Sequence, residues 1–217
     1  MIINGLQAED IRSLMRRRCP DVDNALSQAL FRLHKTKQQI ATHQAAALYV
    51  LAHSFNFDGS NILEIGTYYG YSAAILAQAA PLANIVTLNP NEDEWKLASE
   101  KLEQYKNVRA VCLPSWDYLA TYDGPDLDFI FVDGDHKHVK RDRPWFNWLA
   151  TGGIILYHDY TPLGAPRHCP PVYDAVNDFT LWIGRKPDVL IVDDNRLGMA
   201  GWRKMPGDGM YRCPDRD

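Results

Sequence analysis

The stretch Leu63-Glu64-Ile65-Gly66-Thr67-Tyr68-Tyr69-Gly70-Tyr71-Ser72 decides the fold. The apolar run Ile62–Ile65 reads as a short strand, and Gly66 and Gly70 end it in a tight turn that lets a ligand approach the backbone closely. A helix follows, with Ser72 as its candidate cap and its first N–H groups pointing beyond the strand. Glu64 is unusual in a buried run, and an anion there requires a donor. The spacing excludes two nucleotide motifs. Counted from Gly66, G-x-G-x-x-G would need glycine where Tyr68 and Tyr71 stand, and no G-x-x-x-x-G-K-[ST] occurs.

Outward from this stretch, further short apolar runs occur at Ile85–Leu88, Val108–Leu113, Phe129–Val132 and Ile154–Tyr157. They do not alternate apolar with polar, as expected of parallel strands covered on both faces. Amphipathic stretches separate them, the clearest carrying Trp95, Ala98, Leu102 and Tyr105. The passage Asp128–Val132, Val139–Leu149, Gly153–Tyr157 predicts strand–helix–strand, with Pro144 kinking or restarting the helix. Repeated βα alternation predicts an α/β, doubly wound, mostly parallel sheet. The tail predicts a helix near Val172–Trp182, then strands Val189–Val192 and Met199–Trp202 as an antiparallel pair at the sheet edge. Residues 1–59 are expected to be a helical extension, with Ala41, Ala45, Leu48 and Phe55 at helical spacing and Thr36 or Thr42 capping. One domain over 1–217 is expected, with 60–217 as its α/β core.

Composition narrows the function. The 217 residues are 46% hydrophobic, with 6 Trp and 11 Tyr, which suits a packed globular chain. The formal charge of −4 argues against a nucleic-acid partner, and the triplet Arg16-Arg17-Arg18 is too short to change that. Cys19, Cys112, Cys169 and Cys213 show no C-x-x-C spacing. No apolar run reaches the ~18 residues of a membrane span, and the opening MIINGLQAEDIR lacks a signal-peptide pattern. A cytoplasmic protein without a membrane partner is expected.

The E-x-G-x-x-x-G arrangement at Glu64, Gly66 and Gly70 resembles the first motif of class I methyltransferases that use S-adenosylmethionine (SAM). The stretch from Asp128 to His136, with Asp133-Gly134-Asp135 after the strand, is similar to that superfamily's fourth strand. Gly152-Gly153-Ile154-Ile155-Leu156-Tyr157-His158-Asp159 is similar to the fifth. The resemblance, over 62–159, is to the small-molecule O-methyltransferase branch that includes the caffeoyl-CoA, catechol and macrocin enzymes. It implies a Rossmann-like fold, SAM as cofactor, and a small-molecule acceptor methylated at oxygen; a homodimer is compatible with it.

That resemblance assigns cofactor contacts to Glu64, Gly66, Tyr68, Gly70 and Ser72. It also implies an acid after the second strand for the ribose hydroxyls, where this chain has Asn89. An acid beside the adenine is implied where Leu113-Pro114-Ser115 stands, which leaves Ser115, with Trp116 as a stacking neighbour. Asp133 and Asp159, with His158 beside them, match the positions that hold Mg²⁺ in related enzymes, although His158 and Tyr160 are not usual ligands of that ion. Asp159 equally suits a turn before Thr161-Pro162.

His136 is the candidate general base, because imidazole titrates near neutrality, and Asp133, His136 and Asp159 form the candidate catalytic set. A transition-metal cluster of Asp133, Asp135, His136 and His138 is disfavoured, since alternate residues diverge on such a turn. Two rival functions stand beside the first: a non-catalytic SAM-binding module, and a metal-dependent hydrolase using Asp133, His136, His158 and Asp159. The N-terminal helices and the loop Thr161–Pro171, with Arg167 and His168, are expected to cover the acceptor.

Overall fold

The computed structural model describes residues 1–32, 40–161, 169–195 and 198–212. Thr36, Pro162, Arg167, His168 and Cys213, named above, lie outside the described residues. The eight strands are β1 (Ile2–Leu6), β2 (Asn61–Ile65), β3 (Asn84–Leu88), β4 (Val108–Val111), β5 (Leu127–Val132), β6 (Leu149–Tyr157), β7 (Val189–Asp193) and β8 (Gly198–Arg203). They form one sheet in the order β1-β7-β8-β6-β5-β2-β3-β4. Strands β2 to β6 pair in parallel, and β8 runs antiparallel to both β6 and β7.

Successive residues of the central strands enter opposite cores, which explains their unbroken apolar runs. Phe129 and Phe131 of β5, with Ile154 and Leu156 of β6, pack on one face against α1 (Ala8–Arg18), α3 (Thr42–His53) and α4 (Tyr71–Ala79). Ile130, Val132, Ile155 and Tyr157 pack on the other against α7 (Pro170–Ile183) and the segment His136–Trp148. The remaining helices are α2 (Val22–Arg32), α5 (Glu92–Leu102) and α6 (Ser115–Ala120). In α3 every residue from His43 to Ala52 is buried, so the helix is wrapped on all sides by neighbours.

Four expectations need correction. Residues 1–59 are not all helical: Ile2–Leu6 is a strand, parallel to β7 in the register Ile2↔Leu190 and Ile3↔Ile191. Only Ile3 of its five residues is buried, so no local periodicity announces it. The antiparallel β7–β8 pair is therefore interior, and β1 forms that edge. The helix expected at Val139–Leu149 is a 3₁₀ segment, His136–Trp148, with Pro144 inside it; proline has no N–H to donate to an α-helical ladder. Leu149 already belongs to β6. Finally, α3 starts from Ala41, with no side-chain cap, and Thr42 is its first helical residue.

Candidate functional site

The carboxyl ends of β2 to β6 open into one cavity of about 410 Å³, at the crevice where β5 and β3 leave β2 on opposite sides. Of the residues singled out in the sequence, its wall includes Gly66, Tyr68, Ser72, Asn89, Ser115, Asp133, His136, His158 and Asp159, and not Gly70. Tyr68 (φ 45°) and Asp159 (φ 57°), both on this wall, are the non-glycine residues with left-handed backbone among the described residues. Such strain persists only where the surroundings over-determine it, and it concentrates at functional sites.

Gly66 is required by the sheet itself. At φ 108°, a Cβ on it would lie 2.2 Å from the Asp133 carbonyl oxygen. Its absence lets the ends of β2 and β5 touch, with Asp133 N donating to Ile65 O at 2.8 Å. Gly70, at φ 88°, starts α4 and is buried against Leu102. Ser72 does not cap α4, because it lies within the first turn. Its hydroxyl acts on Glu64 instead.

Glu64 is fully buried and is not among the residues lining the cavity. Its donors are hydroxyls rather than an ammonium or backbone N–H: Thr87 Oγ1 donates to Oε2, and Thr67 and Thr87 hydroxyls lie 2.5 Å apart. Burial pushes its carboxyl up to about 7, against the pull of Ser72 and Thr87. Glu64 therefore braces the turn from below.

Asn89 is buried, and its amide is engaged within the protein. Oδ1 accepts from Asn91 N at 3.1 Å, and Nδ2 donates to Glu94 Oε2 at 3.1 Å. Ser115 starts α6 and donates to Asp142 Oδ1, from the 3₁₀ segment. Asp142 is 3% exposed, and burial pushes its carboxyl up to about 7 despite that bond. Trp116 stacks under the Arg141 guanidinium, 4.8 Å from the ring centre.

The last group forms after β5 and β6. His158 Nδ1 lies 3.0 Å from Asp133 Oδ1 and 3.3 Å from Asp159 Oδ2, while its Nε2 meets Gln44 Oε1 at 3.0 Å. His136 Nε2 lies 3.1 Å from Asp159 Oδ2 and 3.9 Å from Asp133 Oδ1. Hydrogen bonds to Asp133 and Asp159 push His136 up to about 10. Burial lowers His158, but the Asp133 charge outweighs it and takes this ring to about 10 as well. Burial likewise raises Asp133 and Asp159, yet the two imidazoles hold both carboxyls below the usual range. The general base expected near neutrality is instead an imidazolium held by two acids. Asp135 turns away to His138, at 2.8 Å, so the expected divergence on that turn is observed.

Among the described residues the metal-capable set is Asp133, His136 and Asp159, whose potential ligand atoms lie within 4.8 Å of one another; it takes His136 rather than His158. Sequence reading missed Gln44, Glu94 and Asp142. Each lies on a helix or 3₁₀ turn rather than at a strand end.

Residues 63–160 match the profile of a methyltransferase domain family. The chain is 29% identical over 124 residues to the catechol O-methyltransferase of Mycobacterium tuberculosis, covering 55% of this chain and 56% of that protein. It spans 54–62% of the length of the curated relatives it matches. The O-methyltransferase TomG of Streptomyces achromogenes, solved with SAM, superposes with TM-score 0.65 at 22% identity, covering 84% of this chain and 90% of that one. An O-methyltransferase of Bacillus cereus, solved with S-adenosylhomocysteine, gives 0.61 at 20%, covering 89% and 100%. These likenesses establish the fold. No helix among the described residues is long and apolar enough to cross a membrane.

Proposed function

We propose that this chain, whose residues 63–160 match a methyltransferase domain family, is a class I enzyme that binds SAM at the strand ends and methylates an oxygen of a small molecule. The observation that carries the proposal is the meeting, in one cavity, of the glycine turn, the polar residues after β3 and β4, and the acid–imidazole group after β5 and β6. The cavity falls within the ~300–1,000 Å³ range of small-molecule sites. Its residues fit the cofactor. The N-terminal N–H groups of α4 suit a carboxylate, and Ser115 with Asp142 offers a polar wall to the adenine edge. When bound, SAM supplies a methyl group on a sulfonium, a good leaving group.

The chain's own part is positioning and charge. His136, with a side chain 40% exposed, is the cation available to an acceptor oxygen, and Asp159 fixes its ring. An imidazolium there favours the ionised acceptor and holds it in place. Mg²⁺ fits these donors poorly. Both nitrogens of His158 are engaged, the Tyr160 hydroxyl donates to Asn177 Oδ1 at 3.0 Å, and imidazole suits this hard ion less than oxygen does. The match of residues 63–160 to a methyltransferase domain family favours methyl transfer over the hydrolase reading. Among the described residues Cys19, Cys112 and Cys169 form no disulfide.

Titration calorimetry with SAM and with S-adenosylhomocysteine tests the reading, followed by transfer of labelled methyl to a panel of catechols and phenols. Folded protein that gives no heat with either ligand would overturn it.

A further inference from the structure

We propose that Glu94 is the carboxylate that grips the ribose diol of the adenosyl cofactor, with Asn89 as its positioning residue. The proposal rests on the SAM reading and refines it. Asn89 stands after β3, where the resemblance implies an acid, and it is 5% exposed. Its one acceptor oxygen already takes the Asn91 N–H at 3.1 Å, so it has little left to offer a diol. Its amide nitrogen donates to Glu94 Oε2 at 3.1 Å and to the Tyr68 carbonyl at 3.5 Å.

The turn is fixed from the other side as well. Asn91 caps α5 by accepting from the Asp93 and Glu94 N–H groups, both at 3.1 Å. Glu94 is thereby held, half-buried, on the cavity wall beside Tyr68, Asn89 and Pro90. Among the described residues Oε1 makes no hydrogen bond. An acceptor-only carboxylate facing two hydroxyl donors forms charge-assisted bonds that an amide does not. The carboxylate stands on the first turn of α5, and the amide at the strand end holds it.

The test is calorimetry of the full chain with S-adenosylhomocysteine, with displacement by adenosine and by its dideoxy analogue lacking both ribose hydroxyls. Wild type should prefer adenosine over that analogue by roughly tenfold or more. Glu94→Gln should weaken S-adenosylhomocysteine by about tenfold and shrink that preference. Asn89→Asp should also weaken binding, because it sets two carboxylates side by side. The double variant Asn89→Asp with Glu94→Gln should recover affinity to within ~3-fold, having rebuilt the pair with roles exchanged. Thermal melting without ligand checks that each variant folds. An adenosine preference absent in wild type, a Glu94→Gln protein that binds as wild type does, or tighter binding by Asn89→Asp alone would overturn the proposal and leave the SAM reading standing. Wild type that binds neither SAM nor S-adenosylhomocysteine would overturn both.

Discussion

The carboxylates of Asp133 and Asp159 converge on a single nitrogen, His158 Nδ1, at 3.0 and 3.3 Å. His136 Nε2 meets the same Asp159 oxygen, Oδ2, at 3.1 Å. Two acids this close repel unless positive charge lies between them. Here the chain supplies that charge, because both rings are pushed up to about 10. In this arrangement the two rings balance the charge of the two acids.

Turnover on an acceptor, once one is found, should therefore persist in EDTA and gain little from added Mg²⁺. Initial rates under both conditions check this. A collapse in EDTA that Mg²⁺ restores would mean that the ion displaces His158 from the acids.

His136→Gln should lower kcat by about 10²-fold or more while leaving S-adenosylhomocysteine affinity within ~3-fold. Because His136 is pushed up to about 10, the wild-type pH–rate profile should lack a limb near the usual imidazole value of ~6.5. A clear inflection there, lost in His136→Gln, would return this residue to the role of a free base.

Stability should carry the mark of Asp142. Its folded value, about 7, lies above the ordinary 3.8, so between those values the folded state binds the extra proton. Its contribution is therefore most favourable at low pH and declines as pH rises through that window. Asp142→Asn, which retains an acceptor for Ser115, should gain ~1–3 kcal/mol over wild type near pH 8 and show no gain near pH 4. Urea unfolding at the two pH values reads this difference, and equal effects at both would refute it.

Gly66→Ala should cost ~3 kcal/mol or more, since the added carbon overlaps the Asp133 carbonyl and the backbone is left-handed. Gly70→Ala should cost less, about 1–2 kcal/mol, because its neighbour is the pliable Leu102 side chain at 3.3 Å. Denaturation midpoints rank the two, and a reversed order would contradict the packing described for the β2–β5 junction.

The sequence by itself determined the parallel core. Runs such as Phe129–Val132 are apolar throughout because alternate residues feed two separate cores, and that pattern is local. It also determined which strand-end residues line the cavity, among them Gly66, Asn89, Ser115, Asp133 and Asp159, because a parallel sheet opens its crevice at those ends. Only the tertiary structure decided the rest. The strand Ile2–Leu6 exists because β7 offers it an edge, and the proline-containing 3₁₀ segment carries Asp142 to Ser115. Likewise α3 brings Gln44 to His158, and α5 brings Glu94 to Asn89. A helix repeats its polar faces every turn, so sequence leaves open which carboxyl or amide turns inward; packing of the helices on the sheet selects it. The protonation of His136 and His158 was hidden for the same reason, since it depends on which acids the fold places within about 3 Å of each ring.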